Sequence, residues 1–157
     1  MTTSLVLDLA DEDATRRLGA RLAACARAGD VVALAGALGT GKTTLARAFI
    51  RALTSAEEEV PSPTFTLVQT YDAAPAPVWH FDLYRLERPD DAIELGLEDA
   101  LAEGIALMEW PERLGGLLPG RRLDVVLTET DDGAADARRA TLTSHRQWDD
   151  RIGELGP

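Results

Sequence analysis

The residues best suited to chemistry form an eight-residue loop, GALGTGKT, that runs from Gly36 to Thr43. The loop fits the pattern G-x-x-x-x-G-K-[ST], in which glycines let the backbone curl until successive N–H groups point at an anion. The helix that follows adds its unpaired N-terminal donors and its dipole. Lys42 would reach the β- and γ-phosphates of a nucleoside triphosphate, and the Thr43 hydroxyl would bind Mg²⁺. An ordinary strand, turn and helix would not require the full pattern, so the sequence predicts a triphosphate site.

A magnesium ion at such a site usually has a carboxylate at the end of a neighbouring strand. Two acids qualify, because Asp82 follows the segment 78–81 and Glu109 follows the segment 105–108. Each could instead be a solvated residue at a strand end. The spacing alone does not choose between Asp82 and Glu109.

A stiff loop follows the first nucleotide-binding helix, because the prolines of Pro61-Ser62-Pro63-Thr64 exclude a helix. Hydroxyls of Ser62 and Thr64 on such a loop suit a γ-phosphate sensor or a water-positioning element. Ordinary turn chemistry explains the same residues equally well. Trp110 is either a core aromatic or a partner contact, and His80 is expected to pack or hydrogen-bond rather than catalyse.

The elements that must position these residues alternate between strands and helices. The apolar run Val31–Ala35 predicts a strand buried on both faces, and Leu45, Phe49 and Leu53 mark one face of a helix beginning near Lys42. Further strands are predicted at 4–9, 64–71, 78–84, 105–108, 123–127 and 140–143, with helices over 11–29 and 92–101. We therefore expect an α/β fold, a P-loop NTPase-like sandwich whose mixed, largely parallel central sheet carries helices on both faces. Residues 1–146 would form a single P-loop ATPase domain, and residues 147–157 a loosely ordered C-terminal tail.

Composition narrows the class of partner. The net charge is −11, and the densest basic pairs, Arg121-Arg122 and Arg138-Arg139, are isolated. Because nucleic-acid binders usually carry a basic face, we expect no DNA binding and no tight direct binding of RNA. No apolar run approaches the ~20 residues of a membrane span, and no basic segment leads into an apolar one as in a signal peptide. These features favour a cytoplasmic protein without a membrane partner.

Four blocks taken together resemble the TsaE family, also called YjeE. They are GALGTGKTTLAR (36–47), SPTFTLV (62–68), HFDLYRL (80–86) and MEWPERL (108–114). Their order and spacing agree with the family over roughly residues 5–145. The last three blocks are particular to the family, so the combination is more specific than the phosphate loop alone.

The resemblance implies a small Mg²⁺-dependent ATPase, slow by itself, that is required for the threonylcarbamoyl modification of adenosine 37 in tRNAs reading ANN codons. It implies work with the TsaB and TsaD proteins, so that tRNA is handled indirectly. Thr43 and Glu109 resemble the family's magnesium ligands, and Asp82 its aspartate involved in hydrolysis. Ser62 and Thr64 fall in a switch-like loop, and Trp110 matches a tryptophan beside the metal glutamate. Residues resembling the family's nucleotide contacts are Glu12, Leu38, Gly39, Thr40, Gly41, Lys42, Thr43 and Thr44.

The loop departs from the family at two positions, because Ala37 and Thr40 replace a frequent aspartate and alanine. Neither position supplies an essential side chain for cradling phosphate. Two other functions fit a phosphate loop: a small-molecule kinase, and a nucleotide-dependent interaction module without significant catalysis. A kinase would need an arginine-bearing lid to exclude water, and no segment suits that role.

Overall fold

A computed structural model of the chain describes residues 2–63, 65–131 and 133–156. Its strands are β1 (Thr2–Leu9), β2 (Val31–Ala35), β3 (Val68–Tyr71), β4 (Val78–Asp82), β5 (Ile105–Glu109), β6 (Arg122–Glu129) and β7 (Arg138–His145). Its α-helices are α1 (Glu12–Cys25), α2 (Lys42–Leu53), α3 (Asp91–Glu94) and α4 (Leu97–Glu103). Short 3₁₀ segments cover Pro111–Leu117 and Ile152–Leu155. Among the described residues, no helix is both long enough and apolar enough to cross a membrane.

The strands form one seven-stranded sheet in the order β1-β7-β6-β2-β5-β4-β3. The central strands β6, β2, β5 and β4 are parallel, whereas β7, β1 and β3 join antiparallel at the edges. β2 lies between β5 and β6, so its apolar sequence is buried on both faces, as the run Val31–Ala35 predicts. The carboxyl ends of β2, β4 and β5 therefore meet at one edge of the sheet.

Two apolar layers cover the sheet. On one face, Val32 and Leu34 of β2 pack with Leu22 of α1 and Phe49 of α2. On the other face, Val31 and Ala33 pack with residues of α3, α4 and the first 3₁₀ segment. The predicted mixed, largely parallel sheet with helices on both faces is confirmed.

The predicted helix over 92–101 is two helices instead of one. Gly96 separates α3 from α4 with φ 95°, and a Cβ at this position would lie 2.6 Å from a ring carbon of Trp79. A left-handed backbone that fits against an aromatic ring requires glycine, so the chain turns there.

The C-terminal residues differ from the loosely ordered tail that the sequence predicts. Trp148, Ile152 and Leu155 are buried in the core, at 0 %, 3 % and 0 % exposure. The Arg151 guanidinium pairs with the Asp30 carboxylate through two hydrogen bonds of 2.6 and 3.0 Å. The expectation of a loose tail is wrong for 147–156, because the few apolar residues there all point inward.

Candidate functional site

The loop between β2 and α2 has the backbone shape that an anion site needs. Gly36, Gly39 and Gly41 have φ of 144°, 79° and 102°. Residues that carry a side chain rarely adopt such values. A Cβ on Gly36 would lie 2.5 Å from the Leu127 carbonyl oxygen. Helix α2 begins at Lys42 with no side-chain cap and no acid in its first turn. Its first N–H groups are thus left for a bound anion.

Lys42 is folded back onto its own loop. Its Nζ donates to the carbonyl oxygens of Gly36 at 2.6 Å and Ala37 at 2.8 Å, and lies 4.3 Å from the centroid of a Trp110 ring. Burial lowers the pKa of Lys42 from its ordinary value, and the carboxylates of Glu109, Glu112 and Asp82 act in the opposite direction. A phosphate near Nζ would favour the charged ammonium and could replace the two carbonyl acceptors.

Glu109 ends β5 and connects the loop to a buried histidine. Its Oε1 accepts a hydrogen bond from Thr43 Oγ1 at 2.9 Å, and its Oε2 lies 2.7 Å from His80 Nε2. Glu109 is 2 % exposed and His80 is fully buried. An ionised carboxylate only accepts hydrogen bonds, so His80 Nε2 is the donor in this pair. The expectation that His80 packs or hydrogen-bonds now has a named partner.

Asp82 ends β4 and lies beside Glu109, its partner in the parallel register of β4 and β5. It is buried, and its Oδ1 accepts a hydrogen bond from the Tyr84 N–H at 3.1 Å. Asp82 and Ser62 line the same cleft as the phosphate loop. Both acids that the sequence leaves as alternatives thus reach one site. Thr64 lies outside the described residues.

Trp110 follows Glu109 in a left-handed conformation, with φ 61° and ψ 51°. Such a backbone is uncommon for a bulky residue and marks a place where the surroundings determine the conformation. The ring of Trp110 contacts both the Lys42 ammonium and the Tyr84 ring, the two ring centroids lying 4.9 Å apart. Trp110 therefore connects Lys42 of the glycine-rich loop to the exposed turn after β4.

Glu12, in the first turn of α1, also lines the cleft. Its backbone N–H donates to Asp136 Oδ2 at 3.0 Å. Nearby, Arg138 donates to the carbonyl oxygens of Thr40 at 3.1 Å and Gly39 at 3.0 Å, so β7 supports the phosphate loop directly. Leu38 and Thr44 also line this cleft.

Sequence reasoning missed five residues that line the cleft: Thr15, Tyr84, Arg85, Asp136 and Arg138. Arg138 is visible in the sequence only as half of an isolated basic pair. Tyr84 and Arg85 belong to the HFDLYRL block, which is the one signal that could have marked them.

The cleft has a volume of about 470 Å³, within the range of small-molecule and cofactor sites. No group of three or more His, Cys, Asp or Glu side chains that could hold a metal occurs in the described ranges. Mg²⁺ bound with phosphates does not need such a group, since one or two protein oxygens and several waters complete its shell. The Thr43 hydroxyl and the Glu109 carboxylate lie 2.9 Å apart, so they are the candidate protein oxygens for such an ion.

Comparisons with known proteins identify the family of the chain. A family model described as "Threonylcarbamoyl adenosine biosynthesis protein TsaE" matches residues 9–140. Relatives named "tRNA threonylcarbamoyladenosine biosynthesis protein TsaE" include one from Rickettsia bellii, 38 % identical over 87 % of this chain and 92 % of the relative. Another, from Bacillus subtilis, is 37 % identical over 83 % of this chain and 79 % of the relative.

A solved structure gives the same result at the level of the fold. The crystal structure of Bacillus subtilis YdiB superposes with a TM-score of 0.76 at 29 % identity, covering 99 % of this chain and 93 % of that one. Sequence and fold thus agree over nearly the whole length. The chain belongs to the TsaE family of threonylcarbamoyl adenosine biosynthesis proteins, whose phosphate loop implies nucleotide binding.

Proposed function

We propose that this chain binds and hydrolyses ATP with Mg²⁺, and that turnover supports the threonylcarbamoyl modification of adenosine 37 in tRNA together with TsaB and TsaD. The observation that carries the proposal is the hydrogen bond from Thr43 to Glu109, with Asp82 in register beside Glu109. This arrangement brings the helix of the phosphate loop and two carboxylate-bearing strands to one point. The relatives' names supply the tRNA modification.

Each residue of the site has a distinct task in this proposal. The loop N–H groups and Lys42 hold the β- and γ-phosphates, while Thr43 and Glu109 hold Mg²⁺. Bound Mg²⁺ would neutralise charge on the phosphate oxygens. Asp82 and Ser62 would orient the attacking water, since both line the cleft next to Glu109. Trp110 contacts both Lys42 and the exposed Tyr84, so a movement of Lys42 on binding phosphate would be passed to the protein surface.

The acidic chain suits indirect rather than direct handling of tRNA. With a net charge of −11, the surface as a whole repels a polyanion. The cations Lys42 and Arg138 lie in the nucleotide cleft and are used there. We therefore assign tRNA contact to the TsaB–TsaD complex.

The test is a phosphate-release assay on this chain with and without the TsaB–TsaD complex. We expect slow Mg²⁺-dependent hydrolysis alone and a several-fold faster rate with the complex. Glu109→Ala should lower turnover more than it weakens ATP binding, measured with a fluorescent ATP analogue. A rate that stays flat on addition of the complex would count against the role in tRNA modification. Full turnover by Glu109→Ala would overturn the metal assignment, and labelled phosphate on an added acceptor would favour a kinase.

A further inference from the structure

Arg85 lies on a tight turn that presents it to the cleft. The Leu86 N–H donates to the Leu83 carbonyl at 3.0 Å, and both side chains are buried, Leu83 at 1 % and Leu86 at 4 % exposure. These two anchors fix the turn while Arg85 between them is exposed and lines the cleft with Ser62 and Asp82. The turn also begins at Asp82, whose carboxylate accepts the Tyr84 N–H.

The guanidinium of Arg85 is weakly held. The guanidinium carbon lies 5.0 Å from the centroid of the Phe65 ring in a cation–π contact. Within the described residues, the guanidinium makes no hydrogen bond and no ion pair. Phe65 is 84 % exposed, so the contact is solvated and correspondingly weak. Charge-assisted hydrogen bonds to phosphate oxygens are stronger than such a contact. The Arg85 guanidinium can therefore leave the Phe65 ring and bind an anion in the cleft.

Arg138, the other arginine of the cleft, uses its guanidinium to bind backbone carbonyl oxygens of the protein itself. Besides Thr40 and Gly39, its guanidinium donates to the carbonyl oxygens of Ala135 at 2.8 Å and Ala137 at 2.7 Å. All three nitrogens are thus used to hold the backbone. Of these two arginines, Arg85 is the one with donors available for a ligand.

We propose that Arg85 is a catalytic arginine supplied in cis, which donates hydrogen bonds to the oxygens of the phosphoryl group during its transfer to water. The inference rests on the proposed ATP hydrolysis. Water attacks the γ-phosphorus, the bond from that phosphorus to the β–γ bridging oxygen breaks, and its electron pair leaves with ADP. The proton lost by the water passes to the phosphate product or to solvent. Arg85 forms no covalent bond and neutralises charge that develops on the transferred group.

The experiment compares Arg85→Ala and Arg85→Lys with Arg88→Ala. Arg88 is an exposed arginine of the same segment, and its guanidinium faces Asp91 at 3.8 Å. Single-turnover hydrolysis, ATP affinity and trapping of ADP with aluminium fluoride are measured, each at saturating TsaB–TsaD. We expect both Arg85 variants to lose about tenfold or more in rate, toward the ~10³-fold typical of such arginines. ATP affinity should stay close to wild type, trapping should be lost, and Arg88→Ala should match wild type throughout.

Three results would overturn the inference. The first is a rate for Arg85→Ala equal to that of Arg88→Ala. The second is a defect that disappears when TsaB–TsaD is raised above the concentration that saturates the wild-type chain, which would make Arg85 a docking residue. The third is a loss of ATP affinity equal to the loss of rate, which would make it a ground-state contact. If the wild-type chain itself does not hydrolyse ATP with the complex, the proposed function fails, and the Arg85 inference fails with it.

Discussion

Glu109 accepts hydrogen bonds on both carboxylate oxygens, from the Thr43 hydroxyl and from His80 Nε2. Thr43 is expected to turn toward Mg²⁺ together with Glu109, which leaves the histidine as the support that persists. His80 Nδ1 has no hydrogen-bond partner in the described structure and is buried. The ring is therefore held by packing and by Glu109, and His80 would orient that carboxylate if it binds Mg²⁺ as proposed.

Replacing His80 tests this support. His80→Leu removes the donor to Glu109, so we expect Mg²⁺-dependent ATP affinity to fall by roughly 10- to 100-fold. His80→Gln keeps an N–H donor and should retain most of the affinity. Titration with a fluorescent ATP analogue, in Mg²⁺ and in EDTA, measures both. An equal loss in EDTA for His80→Leu would instead indicate general damage to the loop.

Lys42 gives a second prediction at this scale, because its ammonium lies over the Trp110 ring. ATP should draw Nζ toward the phosphates and change the tryptophan emission. Lys42→Ala should abolish that change and weaken ATP binding roughly 10- to 100-fold, as expected for lost charged hydrogen bonds. Trp79 and Trp148 also emit, so Trp110→Phe is the control. An ATP-dependent signal that persists in Trp110→Phe would assign the change elsewhere.

At the scale of elements, α1 and α2 approach closely at Gly19. A Cβ there would lie 2.6 Å from the Leu45 carbonyl oxygen and 3.0 Å from the Ala48 Cβ. Since α2 carries Lys42 and Thr43 at its start, the contact sets how the phosphate loop sits against α1.

Gly19→Ala should therefore force the helices apart. We expect a loss of about 1–3 kcal/mol in the free energy of unfolding, as for other overpacked sites, measured by urea denaturation. Gly120→Ala is the matched control, because a Cβ there meets nothing within 4 Å, and it should stay within ~0.5 kcal/mol of wild type. Equal effects of the two substitutions would show that the entropy of the unfolded chain, not the contact with α2, is at work.

Sequence patterns predicted the central strand and the helix after the phosphate loop, because burial of apolar side chains alone determines each pattern. The apolar run Val31–Ala35 became β2 with the same bounds, and the predicted helix near Lys42 begins there. The strand predicted from residue 64 begins only at Val68, because Leu67 adopts φ 68°. No local pattern encodes that turn.

In the site, too, some features can be predicted from local sequence and others depend on the folded sheet. The phosphate loop and the two acids are strand-end and loop signals, readable along the chain. The support from Arg138 reaches Gly39 and Thr40 across 99 and 98 positions of sequence, respectively. Such a contact depends on β7 lying at its place in the sheet, which a linear pattern does not contain.

At the scale of the whole molecule, the C-terminal segment 147–156 supports the strand that leads into the phosphate loop. Gln147 accepts a hydrogen bond from the Val31 N–H and donates to the Gly29 carbonyl, both at 2.8 Å. Arg151 pairs with Asp30 and lies over the Trp148 ring, 4.1 Å from its centroid. These contacts hold the start of β2, the strand whose other end becomes the phosphate loop.

Arg151→Ala should therefore destabilise the whole fold rather than loosen a tail. The substitution leaves the Asp30 carboxylate, 3 % exposed, buried without its guanidinium, which typically costs about 3–5 kcal/mol. The control is Arg16→Ala, whose ion pair with Glu12 is about half exposed on both sides and should contribute less than ~1 kcal/mol. Urea denaturation followed by far-ultraviolet circular dichroism compares the two. Equal stabilities would mean that the buried Arg151–Asp30 pair contributes no more than an exposed one, whereas a large and selective loss would make this pair part of the scaffold that holds β2.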